Sequence, residues 1–192
     1  RGWWVIADEI YMRIAYDGPA ASVLSLAPTR ENLIVINGVA KAYAMTGWRI
    51  GYACGDENLI KAMTKIHQYS MLCAPTLAQI AAETALRYAL SDRDKMRDEY
   101  RLRRDLIVKG FNDMGLKCFM PQGAFYVYAD SSRLATDSFK LAGRILQESH
   151  VAVTPGRDFG VAAPEAHIRF AYTQPTDRIA EALERMKKVI PT

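Results

Sequence analysis

The chain has 192 residues, 50% of them hydrophobic, and its 25 lysines and arginines exceed its 21 aspartates and glutamates to give a net charge of +4. This composition is typical of a globular protein, and it excludes an intrinsically disordered, collagen-like or coiled-coil chain. No apolar run approaches the roughly 18 residues that a membrane-spanning helix requires, and so small a charge excess does not by itself indicate a nucleic-acid partner.

The beginning of the chain predicts a sheet. Residues 3–7 form a continuous apolar run, which is typical of a strand in a parallel sheet covered on both faces. A second apolar run at 33–36 is followed by the turn pair Asn37-Gly38, and 50–54 predicts a third strand. Because the first strand starts at once, without an initiator methionine, we expect the chain to be a piece of something longer.

Three helices are predicted next. Asp56 is expected to cap the first helix, and Pro75 to be the first residue of the second. Ser91 and Asp92 are expected to cap a long, highly charged helix that ends near Gly115. Its apolar stripe is narrow, so we expect most of its faces to be solvated, including its arginines at 101, 103 and 104.

The pattern changes after Gly115 to short strands and amphipathic helices. We therefore predict a large domain over 1–107 and a smaller α+β domain over 108–192. The predicted strands of the second domain are 117–119, 124–130, 151–154 and 167–172, and its predicted helices are 137–149 and 175–189.

The cysteines indicate the setting of the protein. Cys54, Cys73 and Cys118 are far apart and form no paired motif. They favour neither a disulfide framework nor a zinc site, and we expect a reducing, cytoplasmic setting with no bound metal.

Four side chains near predicted strand ends carry groups that could together bind one ligand. Lys41 follows the second strand and Arg49 stands eight residues later, while Asp8 ends the first strand and Tyr11 follows it. An amine that condenses with an aldehyde becomes a covalent attachment point, and a guanidinium can bind a phosphate. A carboxylate against a pyridine nitrogen keeps that nitrogen protonated and makes the ring an electron sink. These are the groups that a pyridoxal-phosphate site needs.

Each of these residues also has a simpler interpretation. A single lysine is usually solvated, and Asp8 and Glu9 could be the polar end of a strand. Arg169 lies between Ile168 and Phe170 and so points away from their face, where a rim ion pair would be ordinary. The combination of motifs favours the functional interpretation, and Glu9 is taken as structural.

The sequence resembles the class I/II aminotransferases, which have the aspartate-aminotransferase fold. The resemblance covers the whole chain, and Gly38 to Gly51 is similar to the lysine signature of that family. Similar segments follow in order: residues 6–11 with 16–18 for the Asp…Tyr segment, 121–126 for the entry strand of the small domain, and 155–156, 159–160 and 168–170 for the substrate-carboxylate region.

The resemblance implies an α/β fold and a set of roles. The chain would form the C-terminal part of the large domain of a pyridoxal-phosphate transferase, a mostly parallel sheet with helices, plus the small α+β C-terminal domain. Lys41 would be the catalytic residue and would bind pyridoxal 5'-phosphate covalently. Asp8 would pair with the ring nitrogen, Tyr11 with the ring hydroxyl and Arg49 with the phosphate. Arg169 would hold the α-carboxylate of the substrate.

The resemblance also implies substrates and an assembly. An amino group would move between an L-amino acid, of the aspartate or aromatic type, and a 2-oxo acid such as 2-oxoglutarate. The full-length protein would be a homodimer, with no nucleic-acid or membrane partner. A C–S lyase of the same fold, or an aminotransferase-like effector domain of a transcription regulator, stays open because each would share the residues named.

Some features of the family are different here. Gly38 stands where many relatives have a serine that touches the phosphate, and Ala40 replaces a serine often found before the lysine. The glycine-rich phosphate loop, the ring-stacking aromatic residue and the asparagine beside the ring hydroxyl lie upstream in the family. We therefore expect this chain to be about the C-terminal half of a subunit, and not to transaminate alone.

Overall fold

The structure is a computed structural model that describes residues 2–190. The chain divides into two compact units, the first extending to Arg97 and the second beginning at Asp98. This division falls inside the long helix α4, Leu90–Asp113. The boundary expected between residues 107 and 108 lies in the same helix and stays a prediction.

The first unit contains a mixed three-stranded sheet. Its strands lie in the order β1, β2, β3; β1 and β2 are parallel, and β2 and β3 are antiparallel. Asn37 and Gly38 were expected to form a turn after the second strand, but they are the last two residues of β2 and pair with β3. The strands are β1 Val5–Asp8, β2 Leu33–Gly38 and β3 Gly51–Gly55.

The burial of the strands differs from the expectation for β1. Leu33, Ile34 and Val35 of β2 are buried, but Ile6 of β1 is 66% exposed and Trp3, just before the strand, is 72% exposed. Within the described residues, β1 has one neighbouring strand, and its apolar side chains are not covered. The sequence correctly predicted an apolar strand. The burial of such a strand depends on the elements that cover it, and the described residues do not cover β1.

The helices of the first unit begin close to their predicted starts. Asp56 caps α2, because its Oδ1 accepts the backbone N–H groups of Asn58 and Leu59 at 2.9 and 3.4 Å. Pro75 precedes α3 rather than opening it. The bounds are α1 Val23–Leu26, α2 Glu57–Ser70 and α3 Thr76–Tyr88.

The second unit packs two helices and the second half of α4 with an antiparallel sheet. The sheet order is β4, β5, β7, β6. Ile107 and Phe111 of α4 are fully buried, and Phe111 meets Phe170 edge to face at 5.6 Å between ring centres. The elements are β4 Lys117–Cys118, β5 Tyr126–Asp130, α5 Ser138–Ser149, β6 Thr154–Pro155, β7 His167–Ala171 and α6 Thr176–Lys187.

Arg104 on α4 is buried, so the expectation that the arginines of this helix are solvated was wrong for this residue. Its Nε donates to Asp105 at 2.8 Å and its Nη1 to the carbonyl of Pro121 at 3.1 Å. Both the charge and the donors of a buried guanidinium need such partners. Alternating charges along the sequence could not reveal that this face of α4 is covered.

The described part of the chain contains no helix long and apolar enough to cross a membrane. Residues 2–190 likewise contain no group of three or more histidine, cysteine, aspartate or glutamate side chains arranged to hold a metal ion.

Candidate functional site

The strands of the first unit bring their ends to one edge of the sheet. Asp8 is the last residue of β1 and lies beside Ile36 of the parallel strand β2. β2 ends at Gly38, which pairs with Gly51, the first residue of β3. The segments after β1 and β2 and the segment before β3 therefore meet at this edge, which is where ligands bind in sheets with parallel strands.

Asp8 and Glu9 are adjacent carboxylates with different contacts. Asp8 is exposed, and its Oδ1 accepts the backbone N–H of Ile10 at 3.1 Å. Glu9 is partly buried, and its Oε1 accepts the Ser22 hydroxyl at 3.0 Å and the Val23 N–H at 2.8 Å. Glu9 thus ties the start of α1 to the end of β1, which is the structural role expected for it, while Asp8 faces solvent at the sheet edge.

Lys41 lies three residues beyond the end of β2 and is partly buried. Its Nζ lies 5.8 Å from the centre of the Tyr11 ring. That distance is within the range of a cation–π contact. Two expected site residues from different loops, the amine of Lys41 and the phenol ring of Tyr11, are therefore close together in the first unit.

Arg49 lies at the opposite end of the same loop. It follows the 3₁₀ turn Thr46–Trp48 with a backbone φ of +51°, in the left-handed region. Its Nη1 donates to the carbonyl of Thr46 at 3.0 Å, so the exposed side chain folds over its own turn. A left-handed backbone conformation costs a non-glycine residue on the order of 1 kcal/mol. Such strained residues are frequent at active sites and ligand-binding sites.

A further contact anchors this loop. The guanidinium of Arg93 on α4 binds Asp94 through Nε at 3.0 Å and Nη2 at 2.8 Å. Desolvation lowers the pKa of Arg93, but hydrogen bonds and charge from Asp94 and a hydrogen bond with the Tyr43 side chain leave that pKa above its usual value. Tyr43, two residues after Lys41, is thereby linked to α4. The sequence offered no signal for this contact, because Tyr43 and Arg93 are fifty residues apart.

The phenol of Tyr52 on β3 is held in its neutral form. Burial raises its pKa, the nearby Cys54 raises it further, and Arg13 partly opposes them. Tyr52 therefore adds no charge at this edge of the sheet.

The donor set at this edge fits pyridoxal phosphate chemically. An amine can bind the aldehyde, a carboxylate can face the protonated ring nitrogen, a phenol can bind the ring hydroxyl, and a guanidinium can bind the phosphate. All four side chains belong to the first unit and flank the ends of its three strands.

Arg169 belongs to the second unit, on β7. Ile168 and Phe170 are buried on one face of the strand, and Arg169 lies on the other, as the alternation predicted. Its guanidinium carbon Cζ lies 4.3 Å from the centre of the Tyr126 ring and 4.0 Å from that of Phe159. The guanidinium therefore contacts two aromatic rings.

The Nε atom of Arg169 is buried and has no hydrogen-bond partner among the described residues. An unsatisfied buried donor costs about 1–3 kcal/mol, so a retained one calls for an explanation. A guanidinium presents donors in a fixed planar fork that matches a carboxylate. A carboxylate ligand would supply the missing acceptor.

Tyr126 and Phe159 were part of the segments noted in the sequence, but their contact with Arg169 was not foreseen. Tyr126 could have been found, since Tyr128 pairs with Arg169 across the strands and residues two apart share a face. Phe159 lies in no strand, and its position depends on the turn before it.

Comparison with known proteins gives a consistent family. The sequence profile described as "Aminotransferase class I and II" matches residues 1–186. The chain is 42% identical over 191 residues to an aspartate/prephenate aminotransferase of Thermus thermophilus, covering 98% of this chain and 48% of that protein. It is 38% identical to an aspartate aminotransferase of Pyrococcus abyssi, covering 97% of this chain and 48% of that protein.

The fold agrees as well. The crystal structure of an aromatic aminotransferase from Pyrococcus horikoshii matches 97% of this chain and 50% of that one, with a TM-score of 0.92 and 38% identity. The chain belongs to the class I and II aminotransferase family and has the α/β fold of its members. It spans about half the length of the curated relatives it matches, 48% of each of the two named above.

Proposed function

We propose that this chain contributes the lysine-bearing part of the active site of a pyridoxal-phosphate-dependent aminotransferase. The observation that supports this most directly is the position of Lys41, with its Nζ 5.8 Å from the ring centre of Tyr11, at the sheet edge where Asp8 ends β1. Similarity to relatives that are named as aminotransferases supports the same activity.

Each residue at the edge has a defined task in this proposal. The Nζ of Lys41 would hold the cofactor covalently and, when free, would move the proton at the substrate Cα. The Asp8 carboxylate holds a proton on the ring nitrogen, and the Tyr11 hydroxyl binds the ring oxygen. The Arg49 guanidinium binds the phosphate. When bound, pyridoxal phosphate supplies the electron sink that makes the Cα proton removable.

Arg169 is proposed to bind the α-carboxylate of the substrate. Its unpartnered Nε and the two rings against its guanidinium support this role. Because the rings restrict the side chain, less rotational freedom is lost when the carboxylate binds.

The substrates and setting are also part of the proposal. We infer an L-amino acid of the aspartate or aromatic type as donor and a 2-oxo acid such as 2-oxoglutarate as acceptor, since relatives named for aspartate, prephenate and aromatic substrates are all 36–42% identical. A homodimer is proposed on the same family basis, and a cytoplasmic setting is proposed because Cys54, Cys73 and Cys118 are unpaired.

The test identifies the lysine that binds pyridoxal phosphate covalently, and it uses the protein that the gene encodes. Borohydride reduction in the presence of pyridoxal phosphate, followed by peptide mapping, is expected to place the label on Lys41. Lys41→Ala should lose the label, whereas Lys61→Ala, which removes an exposed helix lysine paired with Glu57, should keep it. Label on another lysine would overturn the assignment.

Product analysis distinguishes the proposed aminotransferase from a C–S lyase and from an effector domain, which would share these residues. Transfer of the amino group from aspartate or an aromatic amino acid to 2-oxoglutarate supports the proposal. Release of a thiol from a cysteine conjugate without amino transfer would indicate a C–S lyase. Stable cofactor binding with neither reaction would favour an effector domain.

A further inference from the structure

Two short turns in the second unit lie against the start of α5. The 3₁₀ turns Gly156–Asp158 and Pro164–Ala166 both follow β6. Arg157 in the first turn and Glu165 in the second form an ion pair, with 3.1 Å between Nη2 and Oε1. The same Nη2 atom also lies 3.1 Å from Oδ1 of Asp137, the residue that caps α5.

Both carboxylates that contact Arg157 are themselves fixed by α5. Asp137 accepts the N–H groups of Phe139 and Lys140, each at 3.0 Å. Glu165 accepts the N–H of Ser138 at 2.9 Å and its hydroxyl at 3.1 Å. Arg157 is therefore held by the residue that caps α5 and by a carboxylate bound to the first residue of that helix, and we call Arg157, Asp137, Glu165 and Ser138 the α5 clasp.

The turn that contains Arg157 also determines where Phe159 lies. The N–H of Phe159 donates to the carbonyl of Gly156 at 2.9 Å and closes the turn. Gly156 itself is tightly enclosed, since a Cβ atom there would lie 2.3 Å from the carbonyl oxygen of Pro164 and 2.6 Å from that of His167. The Phe159 ring then lies against the Arg169 guanidinium, 4.0 Å from Cζ.

We propose that Arg157 is a positioning residue for Arg169, because the α5 clasp fixes the turn that holds Phe159 against the Arg169 guanidinium. This inference rests on the proposed role of Arg169 in binding the substrate carboxylate. Without the clasp, the turn can move away from β7, Phe159 leaves the guanidinium, and water reaches Nε. Arg169 then has more orientations to lose when a carboxylate binds.

The geometry also predicts which replacement preserves the effect. A single nitrogen of Arg157, Nη2, contacts both carboxylates. A lysine ammonium is a compact charge with three donors and can make the same two contacts. The guanidinium of Arg157 lies 5.1 Å from the Phe139 ring centre, and this second contact is not needed in the proposal.

The experiment follows the Nε–Hε resonance of Arg169 by ¹⁵N–¹H NMR on the gene-encoded protein, assigned through its loss in Arg169→Lys. In the unmodified chain, the two aromatic rings should displace this resonance upfield and burial should slow its exchange with water. Arg157→Ala is expected to remove most of the upfield displacement contributed by Phe159 and to speed the exchange. Arg157→Lys should retain both, as should Arg178→Ala, which removes an exposed arginine of α6 paired with Glu181.

The backbone amide resonances of β5 and β7 serve as the check on folding. If they are preserved in Arg157→Ala while the Hε signal changes, the effect is local positioning rather than loss of structure. Phe159→Leu provides a second measurement and should reproduce the Hε change without touching the clasp. An unchanged Hε signal in folded Arg157→Ala would overturn the inference, as would a loss in Arg157→Lys equal to that in alanine.

Failure of this inference can be told from failure of the proposed function. The NMR signal reports only the surroundings of Arg169 and needs neither cofactor nor turnover. If Arg157→Ala leaves the signal unchanged but Arg169→Ala raises the KM of the amino acid in the gene-encoded protein, Arg169 binds the carboxylate and Arg157 does not position it.

Discussion

Gly38 at the end of β2 lies directly opposite Gly51 at the start of β3, and a Cβ atom at Gly38 would lie only 3.1 Å from the Cα of Gly51. The same Cβ would lie 3.1 Å from the carbonyl oxygen of Ile50. The absence of a side chain at Gly38 therefore allows close strand pairing beside the loop of Lys41. The serine that many relatives have at this position cannot be introduced without a shift of the β3 backbone.

Gly38→Ser is accordingly expected to destabilise the first unit, even though it restores a residue typical of the family. Overpacking of this kind costs about 1–3 kcal/mol, and chemical denaturation followed by circular dichroism measures it. Gly47→Ser is the matched control, because a Cβ there meets nothing within 4 Å. Equal free energies of unfolding for the two variants would show that the β3 backbone shifts without loss of stability.

Arg169→Ala is expected to weaken binding of the amino acid by about 2–5 kcal/mol, as when one partner of a buried charge pair is removed. Arg169→Lys should recover little, because an ammonium cannot reproduce the planar fork. Steady-state kinetics of the gene-encoded protein provide the measurement, with Arg144→Ala, an exposed position on α5, as control. Kinetics unchanged in Arg169→Ala would place the carboxylate elsewhere.

Acid should loosen the α5 clasp. The N–H of Lys140 lowers the pKa of Asp137, and the N–H of Ser138 lowers that of Glu165, with Arg157 adding to both. A carboxyl whose pKa is lowered by folding stabilises the folded chain above its unfolded pKa, and this stabilisation is lost as the pH falls through the folded pKa. The ordinary values here are 3.8 and 4.5, so the loss begins near pH 4.5 and continues below it.

Thermal melts of the chain and of Glu165→Gln from pH 7 to pH 3 test this. The variant should have a lower Tm at pH 7, and the difference should shrink as the pH falls below 4.5. Asp158→Asn, at an exposed carboxylate of the neighbouring turn, should show no such difference. A constant gap between Glu165→Gln and the unmodified chain at every pH would mean that the charge of Glu165 does not contribute.

The exposed apolar surface along β1 should promote self-association of the 192-residue chain. Trp3, Trp4 and Ile6 are 72%, 58% and 66% exposed, and a strand edge with apolar neighbours favours pairing with another chain. Ile6→Lys should reduce the associated fraction in analytical ultracentrifugation. Ile66→Lys changes an equally exposed residue of α2, 70% exposed, whose backbone is already hydrogen-bonded within its helix, and should reduce it less.

Features that depend on neighbouring residues in the sequence were predicted well. The Asp56 cap and the alternation around Arg169 follow from local spacing, and both are confirmed. Burial was harder, because it depends on what covers an element. Arg104 was expected to be solvated and is buried, while the apolar run before Asp8 was expected to be buried and is exposed.

The site was foreseeable only in part for the same reason. Strand ends follow from the sequence pattern, so the edge that holds Asp8 and Lys41 could be predicted. The Phe159 contact and the α5 clasp join residues from separate turns and helices, such as Arg157 with Asp137, twenty positions apart. No periodicity in the sequence links such residues. Predictions also remain for the roles of five site residues, namely Lys41, Asp8, Tyr11, Arg49 and Arg169.

The unpartnered Nε of Arg169 implies that this fold is not at its stability optimum. A buried donor without an acceptor weakens the unliganded chain by about 1–3 kcal/mol. A thioether leaves no donor unsatisfied and makes favourable contacts with aromatic rings, and Arg169→Met would place one beside Tyr126 and Phe159 in place of the guanidinium. Selection for thermal stability alone would therefore favour substitution of this arginine. Arg169 is thus a position at which carboxylate binding and thermal stability make opposite demands on the side chain.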